Sequence, residues 1–171
     1  MNQLTSLAIA AVLTLATMPA AWAKGAITKI IIDGQDLDAP LEITDPATLS
    51  RFTIWSGPGV GRWDMLRTIP RPGDPTFIVD WTQGIVEDAP AGSRRYRVTL
   101  HIEGREAPRD TYEVVYVIDD VDDPGYVYLP ANEGDGFGRW NTFQIYRGVE
   151  GHWFRSAAEW EALARALLDP E

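Results

Sequence analysis

The sequence predicts a mainly β fold, an antiparallel sandwich, partial barrel or curved sheet, with a C-terminal α-helix packed on it. Two observations lead there. Short runs that alternate apolar and polar residues recur between residues 27 and 130, separated by Gly- and Pro-rich breaks. Only the last stretch of the chain changes to the helical period.

The elements follow in order. Residues 27–32 form a β-branched run, with Ile27, Ile30, Ile31 and Ile32, that ends at Asp33-Gly34. Leu41-Glu42-Ile43-Thr44 alternates. Asp45-Pro46 has the form of a helix N-cap followed by proline at the first helical position, giving one turn through Leu49. Phe52-Thr53-Ile54-Trp55 returns to strand. Gly57, Gly59, Gly61 and Gly73, with Pro58, Pro70, Pro72 and Pro75, then mark a long connection. Phe77, Val79 and Trp81 alternate with Ile78, Asp80 and Thr82. Tyr96, Val98, Leu100 and Ile102 alternate with Arg97, Thr99 and His101 in a half-buried pattern. Residues 112–118 are apolar on both faces and belong at the centre of the sheet. Gly125 to Pro130 is a short strand.

The C-terminal helix opens with Ser156-Ala-Ala-Glu159, which reads as a capping box. Trp160, Leu163, Ala164 and Leu167 form its apolar stripe, and Glu161 and Arg165 pair on the outer face. Asp169-Pro170 ends it.

Residues 1–23 carry no charged side chain. Residues 7–18 are an apolar block, followed by Pro19 and by Ala21-Trp22-Ala23, a small-x-small cleavage pattern. The basic residue usual before such a block is missing. An uncleaved anchor fits less well, because the segment is Ala- and Thr-rich and interrupted by proline, against the ~20 apolar residues a spanning helix needs. The expectation is a signal peptide over residues 1–23, then one domain over residues 24–171, in the periplasm or secreted, with no stable membrane span after cleavage. No composition break divides the second part.

The 171 residues contain 15 basic and 25 acidic side chains, for a net charge of −10, and no cysteine. The acidic balance argues against a nucleic-acid partner. The missing thiols exclude disulfides, thiol nucleophiles and thiolate metal sites.

Two loops echo each other. Gly57-Pro-Gly59-Val-Gly61-Arg62-Trp63-Asp64 aligns with Gly134-Asp-Gly136-Phe-Gly138-Arg139-Trp140-Asn141. On one reading Arg62, Trp63, Arg139 and Trp140 form a recognition surface for a glycan, an anionic small molecule or a protein partner, since arginine grips carboxylates and tryptophan stacks on rings. On the other, each Trp plugs the core and each Arg pairs with a carboxylate.

Asp119, Asp120, Asp122 and Asp123 crowd one turn. They offer hard oxygen ligands for calcium, but without EF-hand spacing, so a solvated hairpin turn is the favoured reading and no cofactor is expected. His101 and His152 lack a zinc-ligand spacing. No G-x-S-x-G is present. For a hydrolase, Ser56, next to the Gly-rich loop, is the serine to test, and Asp80, beside Trp81, and Glu87 are conceivable members of a carboxylate pair, though any acidic β protein offers such pairs. A binding domain is therefore expected rather than an enzyme, with an extracytoplasmic hydrolase or a structural envelope protein as the alternatives.

Four segments, at residues 42–52, 77–81, 125–130 and 146–154, the last followed by Trp160-Glu-Ala-Leu163, resemble a family of uncharacterised bacterial exported proteins. The resemblance implies export and a single domain, and no activity or site residue.

Overall fold

Strict alternation builds the two longest strands. In β4 (Arg94–Ile102) residues Tyr96, Val98, Leu100 and Ile102 are buried while Arg95 and Arg97 are exposed. In β5 (Thr111–Ile118) Tyr112, Val114 and Tyr116 are buried on the same side. β1 (Ile27–Gly34) joins β4 along its length, with Ile30 opposite Leu100 and Ile32 opposite Val98. The computed structural model describes residues 25–60, 73–88, 94–103, 111–118, 124–131, 141, 145–146 and 148–169.

Short strands complete one antiparallel sheet: β2 (Leu41–Ile43), β3 (Ile85–Val86), β6 (Tyr126–Tyr128) and β7 (Trp153–Arg155). The order is β2-β1-β4-β5-β6-β7-β3. β5 is central, as its two apolar faces require. All seven strands belong to one sheet, which does not close on itself. Among the described residues no helix is long and apolar enough to cross a membrane.

One face of the sheet is covered. α1 (Pro46–Leu49) starts as its sequence dictates: the Asp45 carboxylate accepts from the Thr48 N–H at 2.8 Å, and Leu49 is buried. The chain after it stays close to the core face without forming a ladder. Phe52 meets only Thr76 in a single parallel bridge, and Val79 meets only Ser156. The strands expected at residues 52–55 and 77–82 are thus isolated bridges. The second fails for a clear reason. Phe77, Ile78 and Val79 are all buried, so that segment has no solvent side, and Asp80 turns the chain into a 3₁₀ turn (Trp81–Gln83) by accepting from the Thr82 N–H.

Two aromatic groups fill the space beneath. Phe77, Tyr112 and Tyr146 pack with ring centroids 5.4–5.8 Å apart where each meets another. Trp81 sits 4.9 Å from Tyr146 and 5.3 Å from Phe154. Gly57 allows this packing, since a Cβ there would lie 2.7 Å from both the Trp81 and Tyr146 rings. At the other end Trp160 meets Phe52 and Tyr116 edge to face.

Trp160 belongs to α2 (Ala158–Leu168). The capping box predicted at Ser156 does not form. The N-cap is Ala157, with no side-chain cap bond, and the Ser156 hydroxyl instead donates to Glu161. Glu161 also accepts from the Tyr116 hydroxyl at 2.8 Å, the Gly125 N–H at 2.9 Å and Arg165 Nε at 2.6 Å. The predicted Glu161–Arg165 pair therefore exists, but Glu161 faces the sheet rather than solvent. The fully buried helix positions are Trp160 and Ala164, with Leu168 close behind, while Leu163 and Leu167 are half-buried. The stripe is rotated because Glu161 is drawn inward by its three donors from outside the helix. Arg94 ties the far end of α2 to the sheet, donating to Asp169 and to Asp36.

Candidate functional site

The opposite face of the sheet has no helix over it among the described elements. Cross-strand register places its side chains in two rows. Arg95, Val117, Tyr126 and Arg155 form one, and Arg97, Val115, Tyr128 and Trp153 the other. Facing residues of neighbouring strands point the same way, so both rows lie on one surface.

Arginines lie against the aromatic rings of these rows. The Arg155 guanidinium is 4.1 Å from the Tyr126 ring centroid, and that of Arg95 is 5.7 Å from the Trp153 ring. Trp153 in turn packs against Tyr128 at 5.2 Å. Tyr126, Tyr128 and Trp153 remain half-exposed, whereas Val117 beneath this layer is fully buried. A guanidinium that rests on a ring keeps its N–H edge directed outward. The cation is held in place and its donors stay usable. Arg155 spends one donor on the Pro124 carbonyl at 2.9 Å. Among the described residues no carboxylate pairs with Arg95 or Arg155.

Two ion pairs lie on this face as well. Lys29 pairs with Glu42 at 3.3 Å, and Arg97 with Glu113 at 3.3 Å. Burial raises the Glu113 carboxyl above its ordinary value, and Arg97 opposes that shift. The Glu113 backbone is held by Asn141, whose fully buried amide accepts from its N–H at 2.8 Å and donates to its C=O at 2.7 Å. Asn141 thereby continues the β5 edge beyond the reach of β6. His101, on the same face, is held below its ordinary value by burial and by Lys29.

Beside the Arg–aromatic layer is a recess of about 440 Å³, open to solvent, lined by Asp33, Gly34, Gln35, Arg95 and Arg97. Arg95 belongs to both, since it lines the recess and reaches over Trp153.

Of the residues singled out in the sequence, His101 lies on this face. Arg62, Trp63, Arg139 and Trp140, and the turn carboxylates Asp119, Asp120, Asp122 and Asp123, lie outside the described residues. Of the echoed motif, Gly57 packs under the aromatic cluster, Val60 is buried and Asn141 binds the β5 backbone. Those positions build the core. Asp80 is a turn cap, and the Ser56 carbonyl accepts from Trp81 Nε1 at 2.9 Å. Among the described residues no three His, Asp or Glu side chains come together as metal ligands. The most heavily bonded carboxylate, Glu161, is poorly suited as a base. Burial alone would raise its proton affinity, yet the donors Ser156, Gly125, Tyr116 and Arg165 hold it below the ordinary value.

The sequence holds the parts of the Arg–aromatic face but not the register that joins them. Tyr126 and Tyr128, Trp153 and Arg155, and Arg95 and Arg97 are each two apart, the strand period. Comparison of the chain with protein-family models, with curated proteins and with solved structures returns no match.

Proposed function

We propose that this protein is an exported binding domain that captures an anionic ligand on the open face of its sheet. One observation carries the reading: Arg95 and Arg155 rest on Trp153 and Tyr126 with no carboxylate partner among the described residues, in a chain whose net charge is −10. An acidic protein has carboxylates to spare, so two guanidiniums held on rings and left without one are placed to meet an anion from outside. The leader pattern of residues 1–23 supports export. The overall charge supports a ligand with sparse negative charge, unlike duplex DNA with its one charge per about 1.7 Å.

The test is a titration of the full chain with oligogalacturonate, oligoglutamate and inorganic phosphate, followed by calorimetry and by tryptophan fluorescence. At least one of these anions should bind, and the double change Arg95→Ala with Arg155→Ala should weaken it about tenfold or more, the scale of a lost charged hydrogen bond. The melting temperature should hardly move. A chain that binds none of them, or a double variant that binds as well as the parent, rejects the reading.

A further inference from the structure

The recess beside the Arg–aromatic layer says more about the ligand. Its lining is chemically mixed. Arg95 and Arg97 supply N–H donors and positive charge, Asp33 can only accept, and Gln35 does both. Among the described residues no basic side chain pairs with Asp33, although Arg97 stands opposite it across β1 and β4. A simple anion entering this space would give Arg95 a counter-charge and be repelled by Asp33. A neutral sugar would satisfy Asp33 and leave Arg95 without a counter-charge. A ligand that carries a carboxylate next to hydroxyl donors meets both demands at once.

We infer that the anion recognised by this face is an acidic sugar chain, with one uronate ring seated in the recess: its carboxylate toward Arg95 and Arg97, its hydroxyls donating to Asp33 and exchanging hydrogen bonds with Gln35. The inference rests on the anion-binding reading above and deepens it. Three observations support it. The recess is shallow and open to solvent, so a sugar ring can lie across it with one face in water. Arg95 connects the recess to Trp153, so a chain leaving the recess passes directly onto the layer of Tyr128 and Trp153. A uronate chain also carries one charge per ring, the sparse charge that a protein of net −10 tolerates.

The experiment compares three probes on the full chain by calorimetry: oligogalacturonate, the same oligosaccharide with its carboxyl groups reduced to alcohols, and oligoglutamate of equal charge. Oligogalacturonate should bind about tenfold more tightly than either of the others, which is the effect of one well-made charged hydrogen bond. Asp33→Ala should weaken oligogalacturonate about tenfold and strengthen oligoglutamate, because the substitution removes an acceptor for one and a repulsion for the other. Gln35→Ala, a second exposed position, should weaken only the sugar. Equal binding of oligogalacturonate and oligoglutamate, equal binding of the reduced sugar, or an Asp33→Ala effect of the same sign on both acidic probes overturns the inference and leaves the anion-binding face standing. Failure of every acidic probe to bind overturns both.

Discussion

The two faces of the sheet use the same kinds of side chain for opposite purposes. On the covered face Tyr116 donates to Glu161 and Tyr96 donates to Asp36 at 2.5 Å, and burial together with Asp36 pushes the Tyr96 hydroxyl up to about 12. Trp160 is fully buried there, and Arg94 is held above its ordinary value because its bonds to Asp169 and Asp36 outweigh partial burial. On the open face tyrosine, tryptophan and arginine stay half-exposed or exposed, and they hold one another through ring faces rather than through carboxylates. The difference teaches where stability and recognition reside. Tyr96, Tyr116 and Arg94 are paired internally there, since an unpaired buried polar group costs about 1–3 kcal/mol, whereas Tyr112 Oη and Trp160 Nε1 are buried without a hydrogen-bond partner among the described residues. Polar groups on the other side can remain available because water satisfies them until a ligand arrives.

Substitutions on each side should separate these roles. The largest effect belongs to Trp160→Ala, which empties the space between Phe52 and Tyr116 and should cost about 3–5 kcal/mol in urea unfolding. Anion affinity of the folded fraction should not change. A cost under about 1 kcal/mol would mean that α2 does not seal the covered face.

Glu161→Ala comes next, at roughly 3 kcal/mol, since it leaves the Tyr116 hydroxyl and the Gly125 N–H without their acceptor. Gly125 runs close against the Tyr116 ring, where a Cβ would meet it at 2.6 Å. The acid dependence follows from the sign of the shift. The Glu161 carboxyl is lower in the folded chain than in the unfolded one. Its contribution is therefore complete above the unfolded value near 4.3 and is lost as pH falls through the lower folded value. Denaturation curves from pH 6 to pH 3 should lose part of their acid slope in the variant, and an unchanged slope would remove Glu161 from that role.

The smallest effect is on the open side. Glu113→Gln takes away a carboxylate 3.3 Å from Arg97 at the edge of the recess. Acidic probes should bind about threefold more tightly at pH 7, the scale of an exposed ion pair. Because burial raises the Glu113 carboxyl, the parent should also gain affinity as pH falls through that raised value, whereas the variant should not. Identical pH profiles for the two would show that Arg97 does not sense Glu113.

Much of the covered face could be read from the sequence. Alternation in residues 96–102, apolar character on both sides of residues 112–118, the Asp45 cap and the final helix all reflect local rules, and local rules survive folding. The departures are places where a distant partner decides. Ser156 has the sequence of a cap but turns to Glu161. Residues 77–82 read as an alternating strand, but Phe77, Ile78 and Val79 are all buried. β7 is three residues long, too short for a periodicity to be seen, and it exists because Tyr126 and Tyr128 on one side and β3 on the other supply its partners. The Arg–aromatic layer needs three strands in register, so its separate pairs carried no meaning until the register was known.

The outermost strands of the sheet are among its shortest: β2 has three residues and β3 has two. Such stubs present only a few unsatisfied main-chain groups at either margin, with Ile85 the large apolar side chain left uncovered at one of them. A neighbouring molecule looking to extend the ladder finds almost no template there, and the fold thereby carries its own brake on fibril growth.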